Sequence, residues 1–531
     1  MLEQDDFTSK QNDYAIFLPA ISGFYATFIG RQRNEQYVDP ARMPANIKDM
    51  EQLNWLNSQK SLFPYRWSLY SAGHANLDLT KQDWSEDMVR NRANDTFMLG
   101  DSGGFQIAKG RWPGEWRAPD SAEVKATMAA LQAQGPKKVK NKKGKEITVD
   151  PAKEYQKLLD DAEAKRRAVL TWLDGIADYS MTLDIPTWVT VDKRAGALCG
   201  INTVQEAIDA TKYNNEYFIN NRRGRDEGGT RILNVLQGDS HSSAEDWYQT
   251  MKHYCDPKQY PGRHFDGWAM GGQNMCDVHL ILKRLIALKY DNLLQPGVHD
   301  WMHFLGTSKL EWAVLLTVIQ RAVRKYVNPN FTISFDCASP FLATANGQIY
   351  HEIDLPHLGK WTYRMSPGID EKRYAVDTRS VRDVFLNDYP DRYSVFEESP
   401  VSAQCQIKDI CFYRDGDVNK LGKEGRTSWD SFSYALQMAH NVWMHIQAVQ
   451  EANRRFDNGQ WPSMLQDSRP NKDLFVRLID RIFSAETRAE SEKIIEDYSN
   501  YWTQIIGTRG FVGKKAYNTN TSYNQLFKEN K

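Results

Sequence analysis

Eight short apolar runs, each closing on Gly, Asp, Ser or Pro, constrain this chain more than any other feature of it. They are Ala15–Ala20, Ser68–Gly73, Phe97–Phe105, Tyr179–Pro186, Ile232–Gly238, Gly267–Gly272, His303–Ser308 and Phe331–Ser339. Runs of this length and composition, bounded by turn residues, read as strands. Helical patterns lie between several of them. Asp277–Tyr290 (DVHLILKRLIALKY) and Leu310–Tyr326 (LEWAVLLTVIQRAVRKY) space their apolar residues as one helix face requires. Strands that alternate with helices pair in parallel through crossovers. The expectation is an α/β chain built on a (β/α)8 barrel of the TIM type, with its site at the carboxyl ends of the strands. An open doubly wound sheet carries the same local signals and is the alternative.

Two stretches interrupt the spacing. An insertion at about 107–178 carries Lys137, Lys138, Lys140, Lys142, Lys143 and Lys145 in GPKKVKNKKGKE. After Ser339 the chain turns polar and Pro-punctuated, then helical from about Trp429. The expected organisation is a catalytic barrel over 1–355 and a divergent, mainly helical C-terminal region over 356–531. A barrel of about 250 residues leaves room for both within 531 residues.

Composition narrows the class. Lys plus Arg number 67 against 68 Asp plus Glu, a net charge of -1, which excludes a strongly basic packaging protein and an acidic tail protein. A nucleic-acid partner stays open, because a local basic patch can sit on a neutral molecule. With 41% hydrophobic and 12% aromatic residues the chain is not disordered throughout. Six cysteines are too few for a disulfide scaffold. The opening MLEQDDFTSKQND has neither the basic nor the apolar part of a signal peptide. No apolar run approaches the ~20 residues of a membrane helix. A soluble protein of a reducing cytoplasm, without a membrane partner, is expected.

Five strand ends hold residues suited to chemistry. Asp101-Ser102-Gly103-Gly104-Phe105-Gln106 places a carboxylate before two glycines, which let a ligand approach the backbone. It is also a good turn. Asp184 closes an apolar strand, where a carboxylate needs a partner such as ligand N–H donors. It serves equally as a helix cap. Gln237, before Gly238, offers a donor and an acceptor to a nucleobase edge. Gly271 and Gly272 in GWAMGGQ expose backbone amides. Asp336 in FDCASP could act as a nucleophile or cap the next loop.

In order and wording these motifs resemble the tRNA-guanine transglycosylase superfamily. The resemblance rests on DSGGFQ, Asp184, LQG, GWAMGGQ, FLGTS and FDCASP followed by Asn346-Gly347, and covers roughly Ala15 to Tyr350. It implies Asp336 as the nucleophile at the sugar C1′ and Asp101 as the general acid/base. Asp184, Gln237 and the Gly271-Gly272 backbone would read the purine edge, with Phe105 and Leu305 as the faces around the base. Ser102, Gly103, Gly104, Gly238 and Gly306 complete the implied substrate-binding set.

Two departures from the family pattern stand out. Its zinc cluster is reduced to Cys405, Cys411 and His440, with Asp409 or a more distant residue left to supply the fourth ligand. The alternative is two unpaired cysteines and a helix histidine. Where the tRNA enzymes carry an Arg soon after the nucleophile, this chain has Pro340-Phe341-Leu342. The pattern is similar to the DNA-acting branch found in phages and bacterial modification islands, and for a phage-encoded chain the cytoplasm would be the host's. That branch implies exchange of guanine in DNA for a free 7-deazaguanine such as preQ0, alongside partner proteins of a DNA-modification pathway. The lysine run would contact phosphates, or be a solvated loop. Trp112 and Trp116 would stack on unpaired bases. The same chemistry on tRNA, and a non-catalytic nucleic-acid-binding module on this scaffold, are the alternatives.

Overall fold

The computed structural model describes residues 13–35, 38–140, 144, 146–272, 277–381, 399–411, 429–465, 473–502 and 505. Its strands are β1 (Ile16–Pro19), β2 (Trp67–Ser71), β3 (Phe97–Asp101), β4 (Lys137–Lys140), β5 (Glu146–Val149), β6 (Tyr179–Met181), β7 (Arg231–Leu236), β8 (Gly267–Met270), β9 (Trp301–Phe304), β10 (Thr332–Cys337), β11 (Gln348–Asp354) and β12 (Thr362–Pro367). Each of the eight apolar runs overlaps one strand. These eight form one sheet in the order β1-β10-β9-β8-β7-β6-β3-β2. A parallel bridge between Ala20 and Leu69 joins the two ends of that order, so the sheet is a nearly closed parallel barrel.

The strand boundaries differ from the sequence reading in places. β9 starts at Trp301, two residues before its apolar run. β6 is three residues long, because the chain leaves the ladder where Asp184 N–H donates to Thr182 O (3.0 Å). No helix among the described residues is long and apolar enough to cross a membrane.

The chain divides into two compact units. The first comprises the described residues within Met1–Asn76, Thr80–Leu99 and Asp277–Thr508. It holds β1, β2, β9 and β10, with helices over Gly23–Glu35, Val278–Tyr290, Leu310–Tyr326 and Ser431–Asp457. Leu310–Tyr326 buries nearly its whole length, as its apolar spacing predicts, and Asp277 caps Val278–Tyr290 by accepting from Leu280 N. Ser431–Asp457 is buried on almost every side yet carries many polar residues. Those residues tie down neighbouring backbone. Asn441 accepts from Tyr350 N (3.0 Å) and donates to Thr344 Oγ1 (2.9 Å). The β11–β12 hairpin lies in the stretch the sequence marks only as polar and Pro-punctuated.

The second unit comprises the described residues within Leu77–Leu79, Gly100–Cys276 and Arg509–Lys531. It holds β6, β7 and β8, the β4–β5 hairpin, and helices over Gly104–Ala108, Ala122–Gln134, Pro151–Ile176, Val204–Asn221 and His241–Met251. A buried ion pair fixes the entry to β7 and β8. Arg222 reaches Asp266 Oδ2 (3.1 Å), and the same oxygen accepts from Ile232 N (2.8 Å). The first part of the lysine run is a strand: Lys137–Lys140 pairs antiparallel with Glu146–Val149 as an exposed two-stranded ribbon.

Candidate active site

In the first unit the polar residues converge on Asp336. β9 and β10 pair in parallel with Ser334 beside His303 and Thr332 beside Trp301. Strand side chains alternate, so Trp301 and His303 share a face with Ser334 and Asp336. Trp301 Nε1 donates to Ser334 Oγ (2.8 Å), and Ser334 Oγ lies 2.8 Å from His303 Nδ1. His303 Nε2 lies 3.1 Å from Asp336 Oδ1, which also accepts from Gly306 N (2.9 Å). The Asp336 side chain keeps 13% of its surface open. Gly306, expected among the substrate contacts, donates its N–H to this carboxylate. Leu305, beside it in the turn after β9, is half-buried.

His303, beside Asp336, is a residue that the sequence does not mark. Its run was recognised as a strand, but the histidine was not singled out. The available signal was a polar residue at alternating positions on two consecutive strands, visible only once β9 and β10 are known to pair.

In the second unit the candidates gather around Asp184. Two side chains from the helix Val204–Asn221 pin its flanks: Asn214 Nδ2 donates to Leu183 O (2.7 Å), and Thr211 Oγ1 accepts from Ile185 N (2.9 Å). The carboxylate accepts from Gln237 Nε2 (2.8 Å). Burial pushes its titration up to about 7; the Gln237 amide opposes this and the charge of Asp101 adds to it. Gly271 and Gly272 lie against Gln237. A Cβ on Gly272 would stand 2.8 Å from Gln237 Oε1 and 2.5 Å from Gly238 O. The backbone there is in the left-handed region (φ 59) that favours glycine. Gly238 itself packs against Ala244 of the next helix.

The Asp101 end of β3 belongs to the same cluster. Asp101 Oδ1 accepts from Gly103 N (3.4 Å), and Ser102 Oγ donates to Thr182 O (2.8 Å). Phe105 is 52% exposed, with the Trp188 ring 5.9 Å away and Lys109 Nζ over both rings. The result is a carboxyl and a carboxamide over a side-chain-free backbone floor, beside an open aromatic face. It suits a flat ligand with both donors and acceptors on its edge.

Gly104 is where this cluster tolerates least. A Cβ on it would meet the Asp184 carbonyl oxygen at 2.4 Å and Oδ1 at 2.9 Å. Gly104→Ala is expected to cost ~1–3 kcal/mol through overpacking against backbone, read as a lower midpoint of chemical denaturation. Gly224→Ala, whose Cβ meets nothing closer than 3.6 Å, is the control and leaves the midpoint in place.

Compared with known proteins, the chain matches no family model and no curated protein.

The remaining candidates are placed as follows. Trp116 is fully buried, its Nε1 donating to Trp112 O (3.1 Å) beneath Arg166, so it is core and not a stacking platform. Trp112 lies against Gly103. Lys137, Lys138 and Lys140 are exposed on β4; Lys142, Lys143 and Lys145 lie outside the described residues. Among the described residues no group of three or more His, Cys, Asp or Glu is arranged to hold a metal ion. His440 Nε2 is 2.7 Å from Tyr350 O and Cys411 Sγ is 3.5 Å from Glu371 O. Both atoms therefore donate to carbonyls, and burial pushes the Cys405 thiol upward. The described side chains do not by themselves fit a tetrahedral zinc site, whose thiolates and ring nitrogens must be free to coordinate.

Proposed function

We propose that the chain is a DNA-guanine transglycosylase on a (β/α)8 barrel, exchanging guanine in DNA for a free 7-deazaguanine such as preQ0. The observation that carries the reading is the state of Asp336. It ends a barrel strand with Oδ1 held by His303 and Gly306, while no donor among the described residues engages Oδ2. A carboxylate held in this way is fixed for attack.

The reaction proceeds in two displacements. Asp336 Oδ2 bonds to C1′ as the C1′–N9 bond breaks, and guanine leaves with the electron pair. Asp101 supplies the proton that the departing N9 takes up. The incoming base gives its N9 proton to Asp101 and bonds to C1′, and the ester to Asp336 breaks. Dividing the exchange in this way avoids a free sugar cation and preserves the configuration at C1′. Asp184 accepts from the N1–H and amino group of the purine, and Gln237 contributes its amide to the same edge. A target base within a duplex has to leave the stack first.

DNA is favoured over tRNA by two features. Leu342, where the tRNA enzymes carry Arg, is an exposed apolar side chain. The β4 lysines stand on a ribbon of the kind a duplex groove admits. Reversing Lys137, Lys138 and Lys140 to Glu is expected to weaken duplex binding at low salt. The slope of log K against log salt should fall by up to about 2.7, at about 0.9 per phosphate neutralised. An unchanged slope would leave these lysines as solvated surface.

The test offers DNA and tRNA side by side with labelled preQ0, followed by mass spectrometry of the released nucleosides. Label in DNA is the expected result. Label in tRNA alone would move the reading to the tRNA reaction, and label in neither would overturn it.

A further inference from the structure

We propose that Trp301, Ser334 and His303 form a one-way hydrogen-bond relay that positions Asp336 and commits its Oδ2 to the attack. The proposal rests on Asp336 being the nucleophile. His303 then acts through Asp336 as a positioning residue and touches no substrate.

The direction of the relay follows from its donors. The indole N–H can only donate, and it donates to Ser334 Oγ (2.8 Å). Ser334 is fully buried and has one hydrogen to place. Among the described residues the other partner of that hydroxyl is His303 Nδ1, at 2.8 Å. Ser334 therefore donates to Nδ1, the imidazole is neutral, and its hydrogen sits on Nε2, aimed at Asp336 Oδ1 3.1 Å away. The opposite tautomer would strand the Ser334 hydrogen inside the barrel wall, where an unmet donor is costly. Which nitrogen carries the hydrogen is thus assigned by the network around it.

The head of the relay cannot turn away. Trp301 is stacked on Phe97 (centroids 4.7 Å, 13°) and packs against Trp67 (6.0 Å). His303 itself has no exposed surface. With Gly306 N–H also on Oδ1 (2.9 Å), one carboxylate oxygen carries two donors. The lone pairs of Oδ2 remain for C1′. Once the ester forms, Oδ1 becomes its carbonyl oxygen and the same two donors polarise it. They then draw charge back onto Oδ1 as the C1′–O bond breaks.

Three variants and one spectrum test this. His303→Phe keeps a ring and removes the donor, and is expected to lower kcat and the rate of covalent DNA adduct formation by ~100-fold, the scale of a misplaced reacting group. KM for the free base should stay as in the wild type. His303→Gln, which returns an N–H near the Nε2 position, should recover most of that loss, and Ser334→Ala should fall between the two. Variants are compared only where their melting temperatures match. Wild-type kcat in His303→Phe, or a His303→Gln as slow as His303→Phe, would overturn the relay. The ring 15N spectrum, assigned with His303→Gln, should show a neutral His303 protonated at Nε2; protonation at Nδ1 would equally overturn it. A wild type that forms no adduct would instead defeat the proposed function, and the spectrum would still decide the relay.

Discussion

Asp336→Asn should bind DNA as the wild type does yet form no covalent adduct and exchange no base, a loss of ~10⁴-fold or more in rate, as for other nucleophiles that act with their neighbours as a unit. The substitution is nearly isosteric. Its carbonyl oxygen can take the place of Oδ1 before His303 Nε2 (3.1 Å) and Gly306 N (2.9 Å), so the local fold has no reason to change. The amide nitrogen then stands where Oδ2 attacks, and an amide nitrogen is no nucleophile. Asp336→Ala loses the same chemistry and also leaves two buried donors without an acceptor, so it should unfold at lower denaturant than Asp336→Asn. The adduct is read on a denaturing gel and the exchange from nucleoside masses. An adduct formed by Asp336→Asn at the wild-type rate would place the nucleophile elsewhere.

The barrel was legible because its strands are short, apolar and punctuated by Gly or Asp. The helix Leu310–Tyr326 was legible to the residue, since apolar side chains three and four apart have one local cause. The Asp184 cluster was legible in part for a similar reason. Asp184, Gln237 and Gly271 each break an apolar run at its end, and each such break needs a partner or close backbone contact. What stayed hidden depends on pairing. His303 gains meaning only from its register with Ser334, 31 residues away in the chain. The lysine ribbon was read as a loop because charge masks strand pattern, while Gly144 (φ 75) supplies the left-handed turn residue between its strands. Trp116 read as exposed because it lies in an insertion, yet that insertion has its own small core of Val124, Tyr155 and Leu159. The proposal of DNA as substrate rests at the sequence level on the resemblance, with Leu342 standing where the tRNA enzymes carry Arg.

Under the proposed function, Asp184 should make base binding depend on pH in a direction set by its raised carboxyl. Its carboxyl is raised from 3.8 to about 7, chiefly by burial. A purine edge that presents N–H donors favours the ionised form, so binding lowers that value and releases a proton. The affinity for free guanine or preQ0 should therefore be level above pH ~8 and weaken by ~tenfold for each pH unit below 7. Asp184→Asn replaces an acceptor with a donor facing the same edge. It should flatten the profile and cost ~10–100-fold in affinity at pH 8, the scale of hydrogen bonds to a charged group. Calorimetric titration from pH 5.5 to 8.5 in buffers of different ionisation heat measures both the affinity and the proton released. A level wild-type profile, or an equal slope in Asp184→Asn, would remove Asp184 from the base edge. The same shift has a cost for folding. The folded state binds this proton more tightly than the unfolded chain does, so the Asp184 contribution to stability falls as pH rises from about 4 to 7. Asp184→Asn should then gain stability relative to the wild type at pH 8 and gain none at pH 4. A residue that weakens the empty protein and strengthens its complex is one kept for the ligand, so opposite signs in these two measurements separate a binding carboxylate from a structural one.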